Sequence, residues 1–491
     1  KEGEEGQQRQ TEDGEVIAVD RLEQLHAAPL EAVAADGAAV GVHRVAEAAQ
    51  ALDVVADGAA RHPEALGELR PAPRLAALQE SEQGEESRGT VRHGFRQSGT
   101  KRSSMDPAVG DMTNTKNSTA IRPFTIEIAD AAIADLAERL DRTRLPQPAP
   151  GDDWTTGTPN SYLRDAVGRW KELDWRAVET RLNAVPRFET VVDGQTIRFI
   201  HVVSPHADAT PLLLAHTYPG SSADFLGMID ALVDPVAHGG RAEDAFSVVI
   251  PDAPGFGFSQ PVTAAGWSTA RVARAYDALM RWLGYGTYGV HGSDQGAMIA
   301  RELGLLQPEG FLGLHVLQLF AFPSGDPAEF EKLEPADYAA LEHMQWFQKV
   351  GGYNTMNASR PQTVAAGLSD SPVGLLAYSE LFESFGNGTS LVPLDSVLTA
   401  VSIAWFTNAA AGMTRSYWEN AQVEEAPAVN HAPTGVAVFA SDFQTIRTFA
   451  ERDNDNIVHF ERYPEGGHFA ALEVPEVVAG DIRAFFAGLR G

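Results

Sequence analysis

Thr287-Tyr-Gly-Val-His-Gly-Ser-Asp-Gln-Gly-Ala-Met-Ile-Ala-Arg301 decides how this chain is read. A short apolar run breaks into Gly292-Ser293-Asp294-Gln295-Gly296 and then resumes at helical spacing, which predicts strand, sharp turn and helix. Glycines two positions to either side let the backbone adopt a strained strand-to-helix corner that projects the central side chain, the geometry of a nucleophile elbow. The central residue is Asp294. A serine there would suggest an esterase, whereas a carboxylate attacks saturated carbon and forms an alkyl ester that water must cleave. The competing reading is an aspartate that caps the following helix. A G-x-D-x-G pattern does not choose between them by itself.

The neighbours favour chemistry. Upstream, His216-Thr217-Tyr218-Pro219-Gly220 follows an apolar strand, in a loop that can bring a backbone N–H beside Asp294. That donor, the N–H of Tyr218, and the N–H of Gln295 would form an oxyanion hole for a tetrahedral ester intermediate. Downstream, Glu465-Gly466-Gly467-His468-Phe469 predicts a histidine in a glycine loop between a strand and the last helix. Imidazole is suited to taking a proton from water near neutral pH. Asp442, at the end of the strand ending Phe439-Ala-Ser, can orient that histidine, although an aspartate there can equally cap a helix. The order nucleophile, acid, histidine, each where a strand ends, is the hydrolase order.

Further out, strands and helices alternate. Phe188–Val192 and Thr196–Val203, joined at Asp193-Gly194, read as a hairpin, and strands follow at Leu212–Ala215, Phe246–Ile250 and Phe311–Leu317. Helices are expected after Ser222, over Thr269–Leu283 and from the elbow to Leu306. Such alternation builds a mostly parallel sheet covered on both faces. It stops at Pro323; helical patterns run to about Asn430, then Val436–Phe439 and Ile457–Phe460 resume the sheet and Val477–Leu489 closes it. A helical insertion between late strands would cover the carboxyl edge, where open α/β sheets bind ligands. Amphipathic helices precede the sheet at Ala131–Leu140, Tyr162–Trp170 and Trp175–Leu182.

Composition sets the outer bounds. The 491 residues are 44% hydrophobic, enough for a sizeable core, and the net charge of −29 argues against nucleic acid or an anionic membrane surface as partner. With no cysteine, disulfides and thiolate metal sites are excluded. No run approaches a transmembrane length, so a soluble cytoplasmic protein is the expectation. Before Met105 there is no Trp or Tyr and a single Phe, Phe95, too little apolar surface to offset ordering. Residues 1–104 read as a disordered extension with a fluctuating helix near Val42–Val55, and Met105 or Met112 is an alternative start.

From Ile121 onward the chain resembles the α/β-hydrolase epoxide hydrolases of the microsomal type, with their N-terminal meander. The resemblance rests on Arg122-Pro-Phe, Trp154, Leu182-Asn183, Asp252-Ala-Pro-Gly-Phe-Gly-Phe-Ser259, Ser371-Pro-Val-Gly-Leu375 and Gly466-Gly-His-Phe-Ala-Ala-Leu-Glu473. It implies a meander over 105–187, an α/β-hydrolase core over 188–322 and 431–491, and a helical lid over 323–430. It further implies Asp294 as nucleophile, Asp442 as charge-relay acid, His468 as general base, and two lid tyrosines, Tyr353 and Tyr417, on the epoxide oxygen. Without the resemblance, the tyrosines read as lid packing. Two positions depart from the family pattern: Thr217 stands where glycine is usual in the oxyanion loop, and Gln295 where tryptophan commonly follows the nucleophile. A Cβ at Thr217 would be strained if the loop needed an unusual φ. Tyr218-Pro219 is a candidate cis peptide.

The expected reaction is hydrolysis of a small-molecule epoxide to a vicinal diol, with water and without metal or organic cofactor. Haloalkane dehalogenation by the same carboxylate, or a silent ligand-binding scaffold, are the alternatives; a homodimer stays open.

Overall fold

Among the described residues, nine strands form one sheet in the order β1-β2-β3-β5-β4-β6-β7-β8-β9. They are β1 (Arg122–Pro123), β2 (Arg187–Val192), β3 (Gln195–Val202), β4 (Thr210–Ala215), β5 (Phe246–Pro251), β6 (Tyr288–Gly292), β7 (Phe311–Val316), β8 (Thr434–Ser441) and β9 (Ile457–Gly467). The structure is a computed structural model that describes residues 120–423 and 428–490. The expectations for 1–104, the helix near Val42–Val55 and the alternative starts all lie outside the described residues.

β1, β2 and β3 pair antiparallel, as do β3 and β5; β5, β4 and β6 to β9 are parallel. The central strands read as unbroken apolar runs because both faces are covered. Leu212 and Leu214 of β4 join Val248 and Ile250 of β5 on one face, packed by Ile229–Val233 and the C-terminal helix Pro475–Arg490. Leu213 and Ala215, with Val249, face the other way against Thr269–Trp282 and Gln295–Leu306. Burying each large apolar side chain in these layers contributes about 1.5–3 kcal/mol.

The hairpin turn falls at Asp193-Gly194, both at positive φ (50° and 76°), as a tight two-residue connection requires. One strand is unmarked in the sequence, and one local expectation is corrected. β1 was not foreseen: it is two exposed residues whose pairing with Phe188 and Glu189 leaves no periodic signature. Glu465-Gly466-Gly467 is strand, not a loop, because β9 continues past a register shift to pair Gly467 with Ser441. Gly466 permits it: its φ is 105°, and a Cβ there would lie 2.7 Å from the Phe439 ring.

Between β7 and β8 lie the lid helices, among them Pro335–Val350, Gly352–Ser359, Leu394–Phe406 and Ala410–Ala421. Among the described residues no single helix is long and apolar enough to cross a membrane. The preceding helices, Asp130–Asp141, Asn160–Glu172 and Trp175–Leu182, dock on the lid. Trp170 donates its indole N–H to Ser402 Oγ at 2.8 Å in a buried contact, and Arg169 makes two 2.7 Å bonds to the Asp395 carboxylate.

Candidate active site

The elbow forms because three backbones meet too closely for side chains. A Cβ on Gly292 would lie 2.1 Å from Gly296 O, and one on Gly296 would lie 2.0 Å from Ala215 O. Between them Asp294 adopts φ 50° and ψ −118°, outside the comfortable region for a side-chain-bearing residue. It occupies the position before the helix but makes no side-chain capping bond. Its carboxylate instead accepts from the Tyr218 N–H at 3.0 Å and from the Gln295 N–H. Burial raises the Asp294 pKa above the usual carboxylate value; His468 and these two N–H groups partly oppose it.

The other predicted residues arrive from the neighbouring strand ends. Asp442 follows β8 and His468 follows β9, and His468 Nδ1 lies 2.8 Å from Asp442 Oδ1. The next helix, Arg447–Asp453, starts after Ile446, so Asp442 caps nothing. Because Nδ1 is held by the carboxylate, Nδ1 carries a proton and Nε2 is left as the basic nitrogen. Nε2 is buried with no protein hydrogen-bond partner. Burial lowers the His468 pKa, but the Asp442 charge and hydrogen bond outweigh it, with Asp294 and Glu473 adding to them, so the net shift is upward. Glu473, bonded to the Gly467 N–H, is itself pushed up to about 7, chiefly by burial.

Tyr353, at the start of Gly352–Ser359, and Tyr417, in Ala410–Ala421, lie on lid helices that pack against each other. Their rings meet edge-on at 6.0 Å, and the charge of Asp294 acts on both. Burial above all keeps both pKa values well above the usual phenol, so both remain O–H donors. Tyr218 stacks parallel to Tyr353 at 5.9 Å and meets Tyr417 edge-on at 4.9 Å. Phe385, 4.5 Å from the His468 ring, Phe347 and Met413 belong to the same apolar cluster. A carboxylate, two phenols and an imidazole thus converge under an aromatic roof, at the carboxyl ends of β6, β8 and β9.

Comparison with known proteins gives this arrangement relatives. Residues 121–225 match the family described as epoxide hydrolase N terminus, and residues 210–473 match the alpha/beta hydrolase fold. Epoxide hydrolase 1 of Oryctolagus cuniculus is 33% identical, over 74% of this chain and 88% of its own length. The chain belongs to the epoxide hydrolase family. A Stigmatella aurantiaca protein with a provisional epoxide hydrolase name is 39% identical, over 75% of this chain and 86% of that one. Among solved structures, juvenile hormone epoxide hydrolase of Bombyx mori superposes with a TM-score of 0.69 at 25% identity, covering 76% of this chain and 96% of that one. Aspergillus niger epoxide hydrolase gives 0.65 at 28%, covering 76% and 98%.

This epoxide hydrolase family member absorbs its two sequence departures locally. Thr217 is not among the residues with positive φ, so its Cβ brings no strain, and its hydroxyl bonds Ser293 Oγ beside Asp294. Gln295 sends its side chain to Ser416 Oγ at 2.7 Å, tying the elbow to the residue before Tyr417. The Tyr218-Pro219 bond is cis. His216, buried, has its Nδ1 3.1 Å from Thr217 O and accepts the Ala253 N–H at Nε2, so it is a neutral brace for the loop.

Two contributors escaped the sequence reading. Gln318, just past β7, and Ser416 were both unremarked, although a lone amide in the apolar run Leu317-Gln318-Leu319 at a strand end was a visible signal. Among the described residues, one grouping has metal-ligand chemistry: His315, His459 and Asp481 bring ligand-type atoms within 4.8 Å. Both Nε2 atoms already bond the Asp481 carboxylate, at 2.7 and 2.8 Å, which accounts for the cluster without an ion.

Proposed function

We propose that the protein hydrolyses an apolar epoxide to a vicinal diol in two steps, through an ester on Asp294. The observation that carries this is the pair of lid phenols, Tyr353 and Tyr417, whose rings meet edge-on at 6.0 Å and on both of which the charge of the elbow carboxylate acts. The Asp294 oxygen not held by Tyr218 attacks an epoxide carbon. As the carbon–oxygen bond breaks, the oxygen gathers negative charge, accepts hydrogen bonds from both phenols and takes a proton from one of them. The product of this step is a hydroxyalkyl ester.

In the second step His468 Nε2 takes a proton from water, which adds to the ester carbonyl, while Asp442 stabilises the imidazolium. The carbonyl oxygen becomes an oxyanion on the N–H groups of Tyr218 and Gln295, which already hold the Asp294 carboxylate. On collapse the imidazolium gives its proton to the departing alkoxide, expelling the diol, and the proton left on the Asp294 carboxyl passes to the tyrosinate formed in the first step, so that Asp294, His468 and both phenols are restored. Dehalogenation by the same carboxylate would want N–H donors around a halide; hydroxyl donors suit a basic oxygen better. The aromatic lining favours an apolar substituent on the epoxide.

Single-turnover reaction with enzyme in excess, in water enriched in heavy oxygen, tests the scheme. Attack of water on the ester places the label in Asp294 and leaves the first diol unlabelled. His468→Ala should accumulate an adduct on the peptide containing Asp294, since ester formation needs no histidine. Label in the first-turnover diol, with no adduct in the variant, would overturn the covalent route.

A further inference from the structure

Between the strands that carry Asp294 and Asp442 lies β7, and Gln318 stands two residues beyond its end, 1% exposed. Its Oε1 accepts the backbone N–H of Asp294 at 2.6 Å, and its Nε2 donates to Asp442 Oδ2. Oδ1 of the same carboxylate holds His468. We propose that Gln318 is a positioning residue that couples the nucleophile elbow to the relay acid, so that one carboxamide sets the geometry of both chemical steps.

The chemistry of the position admits few side chains. Asp294 N–H heads a helix N-terminus, has no intrahelical acceptor and needs one. Asp442 Oδ2 is a buried carboxylate oxygen and needs a donor. A carboxamide supplies both on one rigid plane, and its orientation is decided: flipped, it would set oxygen against carboxylate and N–H₂ against N–H. Carboxylate in its place would put two negative charges together, and a hydrocarbon would orphan both partners. The adjoining backbone is pinned in turn, because Leu319 N donates to Thr445 Oγ1 at 3.2 Å and Thr445 Oγ1 donates to Leu319 O at 3.2 Å, on the loop following Asp442. With Oδ2 held by a neutral donor, the Asp442 rotamer is fixed without spending its charge, and that charge is left for His468.

This inference rests on the two-step reading, and the test separates the two. Ester on the Asp294 peptide is followed by rapid quench and mass spectrometry in the parent, in Gln318→Met and in the isosteric Gln318→Glu, with His468→Ala as the control that must trap ester. Thermal melts confirm folding; should Gln318→Met fail to fold, Gln318→Glu carries the test. Losing a hydrogen bond to a charged group should slow ester hydrolysis by about 10- to 100-fold. In Gln318→Glu, which keeps the acceptor for Asp294 N–H, hydrolysis should slow more than ester formation. The added carboxylate also raises the pKa of His468, so the ascending limb of the hydrolysis rate should move to higher pH. The titratable groups facing that centre are Asp294 from the elbow, Glu473 from the helix after His468, and His343 from the lid; they are unchanged in both variants. Parental ester decay with an unmoved pH profile in a folded variant would reduce Gln318 to packing. Absence of any ester in His468→Ala would instead bring down the two-step reading and this inference with it.

Discussion

Removing the phenol hydroxyls one at a time tests the chemistry of the lid. Tyr353→Phe and Tyr417→Phe keep the aromatic contacts at 5.9 and 4.9 Å to Tyr218, so packing is nearly unchanged. Each deletes one hydroxyl, with about 1 kcal/mol at stake in stability. In the ring-opening step the loss is larger, because a buried donor aimed at developing charge contributes roughly 2.7–4 kcal/mol, or about a hundredfold to a thousandfold in rate. One phenol remains in each single variant and can still protonate the oxygen. In the double variant none remains, so ester formation should fall by at least about ten thousandfold, the product of the two single losses. Ester hydrolysis, which in the proposed mechanism runs through His468 and the Tyr218 and Gln295 N–H groups, should change little. The assay is single-turnover ester formation followed by quench and peptide mass spectrometry. Formation rates within about threefold of the parent in all three variants would refute donation and leave the tyrosines as packing.

Other parts of the structure make equally specific claims. Ser402→Ala should orphan the buried Trp170 indole N–H and cost about 1–3 kcal/mol, read as a lower midpoint in urea unfolding. Gly296→Ala places a Cβ 2.0 Å from Ala215 O; the expected result is about 3 kcal/mol of destabilisation by thermal melt and loss of activity in the fraction that folds. At Asp481, burial would raise the carboxyl, but His315 and His459, then Tyr463, hold it well below the usual range. The depressed folded pKa means this group's stabilisation is present above the unfolded value of about 3.9 and is lost as pH falls toward the folded one. Asp481→Asn should therefore lower stability at pH 7 and flatten its fall in acid, measured by denaturant titration at both pH values. Ester hydrolysis in the parent should rise with pH through the His468 pKa, since the base must be neutral, and in the free enzyme the His468 titration, followed by NMR, should have its midpoint above that of a free imidazole. A midpoint below that of free imidazole would contradict the Asp442 pairing.

The elbow was legible in one dimension because it is local. Gly292, Asp294 and Gly296 must be close in sequence to make the turn, and apolar runs such as Phe246–Pro251 announce strands buried on both faces. His468 and Asp442 were legible as residues at strand ends, although the loop expected before His468 is strand, since pairing across β8 is not local. Family resemblance pointed to Tyr353 and Tyr417 where periodicity saw only packing. What the tertiary structure alone decided are the contacts whose partners are distant along the chain and that no pattern announces: Gln295 on Ser416, Gln318 between Asp294 and Asp442, and Trp170 on Ser402. Sequence patterns record which face a residue shows, because hydrophobic burial repeats with the backbone. They do not record which polar group a side chain meets across the sheet, because a hydrogen bond depends on a few tenths of an ångström and on angles that exist only once the strands are in register.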